Sequence, residues 1–259
     1  MLSATATITY KSQAYQFNPL QPLDISLQLR AGSDNVNCFW AEPVQVDTIT
    51  VGSFVGSVAL GGSTNYQRVH LTPHGNGTHT ECYGHISPDP AATLDKCLTR
   101  FLFVTQVVSV MPQRQENGDL VVLAEDVISR LSLENLPEAL VLRTLPNIDT
   151  KRTAQYSGTN PTYIEPALAH FLADNGVEHL LLDLPSVDRE EDGGELLAHH
   201  AFWQYPAATR VASTITELIF VPDAVVDGLY LLNLQVTSLV LDASPSKPVL
   251  YALTPLADS

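Results

Sequence analysis

Apolar residues recur along this chain with two periods, and the period changes where the fold is expected to change. Alternating or β-branched stretches predict strands at residues 5–10, 23–29, 48–59 and 66–71, since side chains two apart share one face of an extended chain. Helical signals between them are few, so the first third reads as mostly β. From Phe103 the pattern shifts. The runs FVTQVVSV and VVL predict strands, residues 124–131 a helix, and ALVLRT a further strand, which is α/β alternation. A second helix is expected at residues 164–173, with Pro166 in its first turn and Gly176 just past its end, the usual asymmetry of helix termini. The strand HLLLDL follows it. Beyond the Gly- and acid-rich DREEDGGE come short β-like runs again: STITELIFV, LYLLNLQV, SLVLD and PVLYAL.

No internal repeat or long Pro/Ser-rich linker divides the chain, so one domain over residues 1–259 is expected. The order of elements predicts an α/β fold whose mixed, partly barrel-like sheet is covered by a few helices. A doubly wound sheet fits less well. Composition narrows the function. The formal charge of −15, from 28 acidic against 13 basic side chains, comes without a Lys/Arg cluster able to neutralise a phosphate backbone, which argues against nucleic acid as a partner. No apolar run approaches the roughly 20 residues needed to span a bilayer, so no membrane partner is expected. The start MLSATATITYKSQ lacks the basic and apolar regions of a secretory signal, and a cytoplasmic location is expected. The cysteines Cys38, Cys82 and Cys97 have no CxxC spacing and read as reduced thiols.

Chemistry concentrates in HGNGTHTECYGHI, residues 74–86. Four of the eight histidines lie between His70 and His85. Imidazole and carboxylate are ligands of borderline divalent metals. On an extended chain His79 and Glu81 point the same way, with Thr80 opposite. His74 joins them if the chain turns back, which Gly75, Asn76 and Gly77 permit. His85 is then either a further ligand or a proton carrier. His70, on QRVHL, reads as structural. Spacing alone leaves both a metal site and a polar hairpin open.

A second concentration is Leu180 to Gln204, where a strand ends in Asp183 and a loop leads to the pair His199 and His200. Ends of strands are common places for functional loops. Glu190, Glu191, Asp192 and Glu195 read as a solvated acidic connection. Glu217 stands out as a lone carboxylate in an apolar or hydroxylated run. Burying it unpaired costs several kcal/mol, so it calls for a metal, a cation or an exposed face.

GTHTECYGH resembles the signature H-x-G-T-H-x-D-x-P-x-H of the cyclase family of metal-dependent hydrolases, which includes bacterial kynurenine formamidase. LDIS (residues 23–26), LRT (142–144), DLPSVD (183–188), LLAHHAF (196–202), ITEL (215–218) and DASP (242–245) continue the resemblance in family order. It implies the swivelling β/β/α-type fold of that family. It implies His79, His199 and Glu217 as metal ligands, Glu81 in place of the family's aspartate ligand, and His85 as the catalytic proton carrier. The family's first histidine falls on Gly75, so His74 takes that role through a one-residue insertion in the turn. Tyr83 stands where the family has proline.

The implied cofactor is one or two divalent ions, zinc first and manganese as the alternative. The implied activity is metal-dependent cleavage of a non-peptide C–N bond in a small amide, formamide or cyclic amide by activated water, with His85 moving the proton. The alternatives are a lactone or ester hydrolase or cyclase, and a non-catalytic metal- or ligand-binding protein. Trp40 and Tyr83, together with Phe39 and Trp203, are the candidate pocket for a small-molecule substrate. Cys82 as a nucleophile is disfavoured, because it faces away from Glu81 on an extended chain. A homodimer or homotetramer is implied by the resemblance alone.

Overall fold

Four apolar runs that carry few polar interruptions become four neighbouring parallel strands. In a computed structural model that describes residues 4–257, Leu102–Val110, Ala139–Thr144, His179–Leu182 and Thr214–Glu217 pair in parallel, in that order. Ala139–Thr144 and His179–Leu182 are buried at every position, as parallel strands covered on both faces require. Antiparallel strands complete the sheet. His79–Cys82 pairs with Thr214–Glu217 and with Ala243–Ala252, and Gly228–Val236 pairs with Leu102–Val110 on one side and Ala243–Ala252 on the other. The last pairing closes seven strands into a mixed barrel, and the short Leu23–Asp24 adds to it as an eighth. The α/β, barrel-like expectation is met.

Alternation sends each strand's side chains to two cores. Leu140, Leu142, Leu180, Leu182 and Ile215 pack outward against the helices Pro166–Asp174 and Leu197–Trp203. Cys82, Val107, Val141, Leu181, Leu232 and Leu250 fill the interior of the ring. Residues of His79–Cys82 that share the face of Ile215 therefore meet the helices.

Several elements differ from their expected extent. The stretch 48–59 is not one strand but Gln45–Thr48, Thr50–Val51 and Phe54–Val55 with a 3-10 turn at Val58–Leu60; Gly52, at φ +58, turns the chain in the middle. The stretch 23–29 pairs only at Leu23–Asp24, because the Asp24 carboxylate takes up the Ser26 amide and hydroxyl (2.9 and 2.6 Å) and bends the backbone. STITELIFV ends as a strand at Glu217, where Leu218 adopts a left-handed φ of +55. SLVLD forms no strand. The second helix runs Pro166–Asp174, while Tyr163–Ile164 pairs in parallel with Leu120–Val122. The first helix is shorter, Ala124–Ile128. The hairpin strand Gln13–Phe17, paired with Ala6–Tyr10, had no clear sequence signal. Among the described residues, no helix is long and apolar enough to cross a membrane. The first three residues of the start MLSATATITYKSQ lie outside the described residues.

Candidate metal centre

The cluster is assembled by strand register. His79 stands directly opposite Glu217, and Glu81 opposite Ile215, so parity puts His79, Glu81 and Glu217 together on the helix-covered face. All three are 0–3% exposed. His199 reaches them from the helix Leu197–Trp203. His74 arrives from the turn before the strand. Gly77 takes a φ of +79 with Leu29 Cδ2 only 2.6 Å from where a Cβ would stand, and Gly75 lies against Ala41 and the Cys38 carbonyl. Asn76 contributes differently from expectation: its side chain accepts the Thr72 amide (2.7 Å) and donates to the Glu42 carbonyl (3.2 Å).

Glu81 sits at the centre. Its Oε1 is 3.1 Å from His199 Nε2, and its Oε2 is 3.1 Å from His74 Nδ1 and 3.8 Å from His85 Nδ1. Burial would raise its pKa, but His85, His199 and His74 hold it well below the usual carboxylate range. Each flanking histidine has a second carboxylate behind it. Asp188 Oδ2 takes His199 Nδ1 at 2.6 Å, and Asp242 Oδ2 takes His74 Nε2 at 2.9 Å, with His85 Nδ1 3.5 Å away. Burial opposes the charged imidazoles, yet these carboxylates outweigh it and raise His199 and His74 to about 10. Asp188 also accepts the Ala198 and His199 amides (2.7 and 3.1 Å), capping the helix from ten residues upstream in place of Leu196, whose φ is +45. One carboxylate thus fixes both the helix and its histidine.

The donor set fits a divalent cation. His79, Glu81 and Glu217 bring one donor atom each to within 4.8 Å of one another, as do His74, Glu81 and His85, and Glu81 belongs to both groups. His79 donates its Nδ1 proton to the Gly77 carbonyl (3.0 Å). Its buried Nε2 has no hydrogen-bond partner among the described residues, and Glu217 Oε2 lies 3.4 Å away. A lone pair so oriented beside two buried carboxylates is costly without a cation. Glu217 is not exposed, and its Oε1 accepts the Val187 amide (3.1 Å).

A cavity of about 250 Å³ opens onto the cluster, lined by His74, Glu81, His85, His199 and Glu217 and walled by Phe39 and Leu196. Three pocket expectations need correcting. Trp40 is 65% exposed and lies outside the lining, because left-handed φ values at Phe39 and Trp40 (+53 and +51) bring only Phe39 to the cavity. Tyr83 is also outside it, tilted against Tyr205 with ring centroids 6.4 Å apart. Trp203 is fully buried, packs against His199 and donates Nε1–H to the Ser213 carbonyl (3.0 Å). The acidic loop is likewise more than a solvated connection. Glu190 and Asp192 line the cavity and are bonded to the Gly158, Gly194 and Leu196 amides.

Asp183 takes no part in the cluster; it is buried against the Thr144 amide and Lys151 Nζ (2.8 Å). His200 bonds the Tyr205 carbonyl (3.0 Å), and His70 pairs with Asp47 at the surface. Cys82 faces the barrel interior, where neighbouring Cys97 and burial push its thiol pKa up, so no nucleophile faces the cavity from this position. Asp188 and Asp242 had no expected role. Both lay in recognised blocks, DLPSVD and DASP, whose terminal carboxylates were the available signal.

The family model described as "Putative cyclase" matches residues 5–189. This chain belongs to the cyclase family. Among curated proteins, the kynurenine formamidase of Bacillus anthracis is 27% identical over 195 residues, covering 75% of this chain and 82% of that protein. The kynurenine formamidase of Bacillus cytotoxicus is 28% identical over 193 residues, covering 74% and 82%. Among solved structures, isatin hydrolase A from Ralstonia solanacearum aligns with a TM-score of 0.67 at 10% identity, over 90% of this chain and 92% of that one. A structure described as a predicted metal-dependent hydrolase from Bacillus stearothermophilus aligns with a TM-score of 0.59 at 16% identity, over 89% and 98%. These two likenesses concern the cyclase fold.

Proposed function

We propose that this cyclase-family protein is a metal-dependent hydrolase that cleaves the C–N bond of a small amide, formamide or cyclic amide with water. The observation that carries the reading is the buried, partnerless Nε2 of His79 beside Glu81 and Glu217, a donor set suited to zinc, or to manganese. His79, Glu81 and Glu217 would hold an ion, and His74 and His199, each 3.1 Å from an oxygen of Glu81, would complete a site for one or two ions. A bound divalent ion supplies Lewis acidity, polarising a carbonyl and lowering the pKa of water.

The remaining work falls to the chain. Asp188 fixes the ring of His199, and the Gly77 carbonyl fixes that of His79, so donor nitrogens point at the cluster before anything binds. His85, 30% exposed on the cavity wall, takes the proton of the attacking water and passes it to the leaving nitrogen. Asp242, beside its Nδ1, stabilises the imidazolium that forms. Phe39 and Leu196 shield the reacting carbonyl from bulk water. Metal analysis followed by assay on formanilide and on a cyclic imide tests the reading. The expected result is bound zinc or manganese, hydrolysis that chelation abolishes, and a loss of about 10²- to 10⁴-fold in kcat for His85→Ala. Turnover that survives complete metal removal refutes it.

A further inference from the structure

The cavity rim carries a single guanidinium, and its mounting is rigid. Arg189 Nε donates to Asp119 Oδ2 (3.0 Å) and Nη1 to the Glu191 carbonyl (2.6 Å). Asp119 is 1% exposed and is itself gripped by Asn160 Nδ2 (2.7 Å), the Tyr163 hydroxyl (2.9 Å) and Asn117 Nδ2 (2.9 Å). The anchor cannot swing away. Nη2 has no hydrogen-bond partner among the described residues, and the side chain, 40% exposed, lines the same cavity as His74, Glu81 and His199. An arginine free to sample rotamers loses about 2 kcal/mol of side-chain entropy when a ligand fixes it. Here folding has already removed most of that freedom.

Two carboxylates share the rim, and neither neutralises this cation. Glu190 Oε1 accepts the Gly158 amide (2.8 Å), and the two oxygens of Asp192 accept the Gly194 and Leu196 amides (2.8 and 2.7 Å). Among the described residues neither forms an ion pair with Arg189, whose one carboxylate partner is Asp119 at Nε. Their negative charge disfavours small free anions at the rim, so an anionic group must be carried in by a body that also packs on Phe39 and Leu196. A carboxylate on such a body meets a pre-oriented, charged N–H donor, the stronger class of hydrogen bond.

We propose that Arg189 is a specificity-determining residue that receives a carboxylate on the substrate, remote from the bond that is cut, so that this protein acts on acidic small amides. The proposal rests on the hydrolase reading above, with Asp119 as the positioning residue. The test uses the metal-loaded full-length protein with formanilide and its para-carboxylate, and separately the calorimetric binding of aniline and para-aminobenzoate. Wild type is expected to favour the acid in each pair. Arg189→Met is expected to raise KM for the carboxylated formanilide about 10- to 100-fold while formanilide changes less than about threefold, the range of a charged hydrogen bond. Arg189→Lys should restore part of the preference, and Asp119→Asn should shift KM in the same direction by less.

Equal losses on both substrates, or no acid preference in wild type, overturn the proposal. Binding separates the two readings. Preference for para-aminobenzoate that Arg189→Met abolishes, without turnover of either formanilide, upholds Arg189 and sinks the hydrolase. Turnover indifferent to the carboxylate does the reverse.

Discussion

Replacing Asp188 by alanine strikes the helix and the histidine together. The buried carboxylate accepts three hydrogen bonds, from the amides of Ala198 and His199 and from His199 Nδ1 at 2.6 Å. Losing an N-terminal cap costs about 1 kcal/mol. Losing a hydrogen bond to a charged, buried partner costs about 1.5–3 kcal/mol. Together they put the loss at about 2.5–4 kcal/mol, a large share of the roughly 5–15 kcal/mol typical of a folded protein. Asp188→Asn keeps an oxygen for the Ala198 amide and should lose about half as much. Both variants release the ring of His199, so metal affinity should fall about 10- to 100-fold. Urea unfolding of metal-stripped protein reads the first effect, and competition with a chelator of known affinity reads the second. A variant that loses under about 1 kcal/mol and binds metal as wild type does would show that Asp188 neither caps nor orients.

Three further outcomes are expected. Metal uptake at neutral pH should release protons from His74 and His199, held at about 10 by their flanking carboxylates, so affinity rises with pH; calorimetry in two buffers of different ionisation enthalpy measures this, and a proton-silent reaction contradicts it. In the metal-free protein the sign is opposite, since a raised imidazole pKa contributes stability fully present below pH 6.5 and lost as pH climbs through about 10. His179 is depressed to about 3, first by burial and then by Arg100 and Arg210. The unfolded chain binds that proton near 6.5, so between these values stability falls by about 1.4 kcal/mol per pH unit of acidification, and the advantage of wild type over His179→Gln should shrink accordingly in unfolding curves. Finally, Cys82→Ala should keep kcat/KM within about threefold, because its thiol faces the barrel core; a loss near a thousandfold would restore the nucleophile reading.

Short-range information was legible in the chain. Apolar periodicity located the parallel strands, because a strand buried on both faces has little tolerance for polar residues. Parity placed His79 with Glu81 and set Cys82 opposite, a consequence of the two-residue repeat of extended chain. The order of short blocks indicated the family and the distant partners His199 and Glu217. Tertiary structure alone decided what depends on long-range register and on backbone left-handedness. The pairing of His79 with Glu217 joins residues far apart in sequence. Asp188 stands behind His199 only once the helix Leu197–Trp203 is in place, and Asp242 behind His74 only once Ala243–Ala252 pairs with His79–Cys82. Left-handed φ at Phe39 and Trp40 chose which aromatic faces the cavity. A solvated-looking acidic loop became the cavity rim through the local turn that Asp192 makes with the Gly194 and Leu196 amides and through the Gly158 amide on Glu190, 32 residues away, which no local pattern reveals.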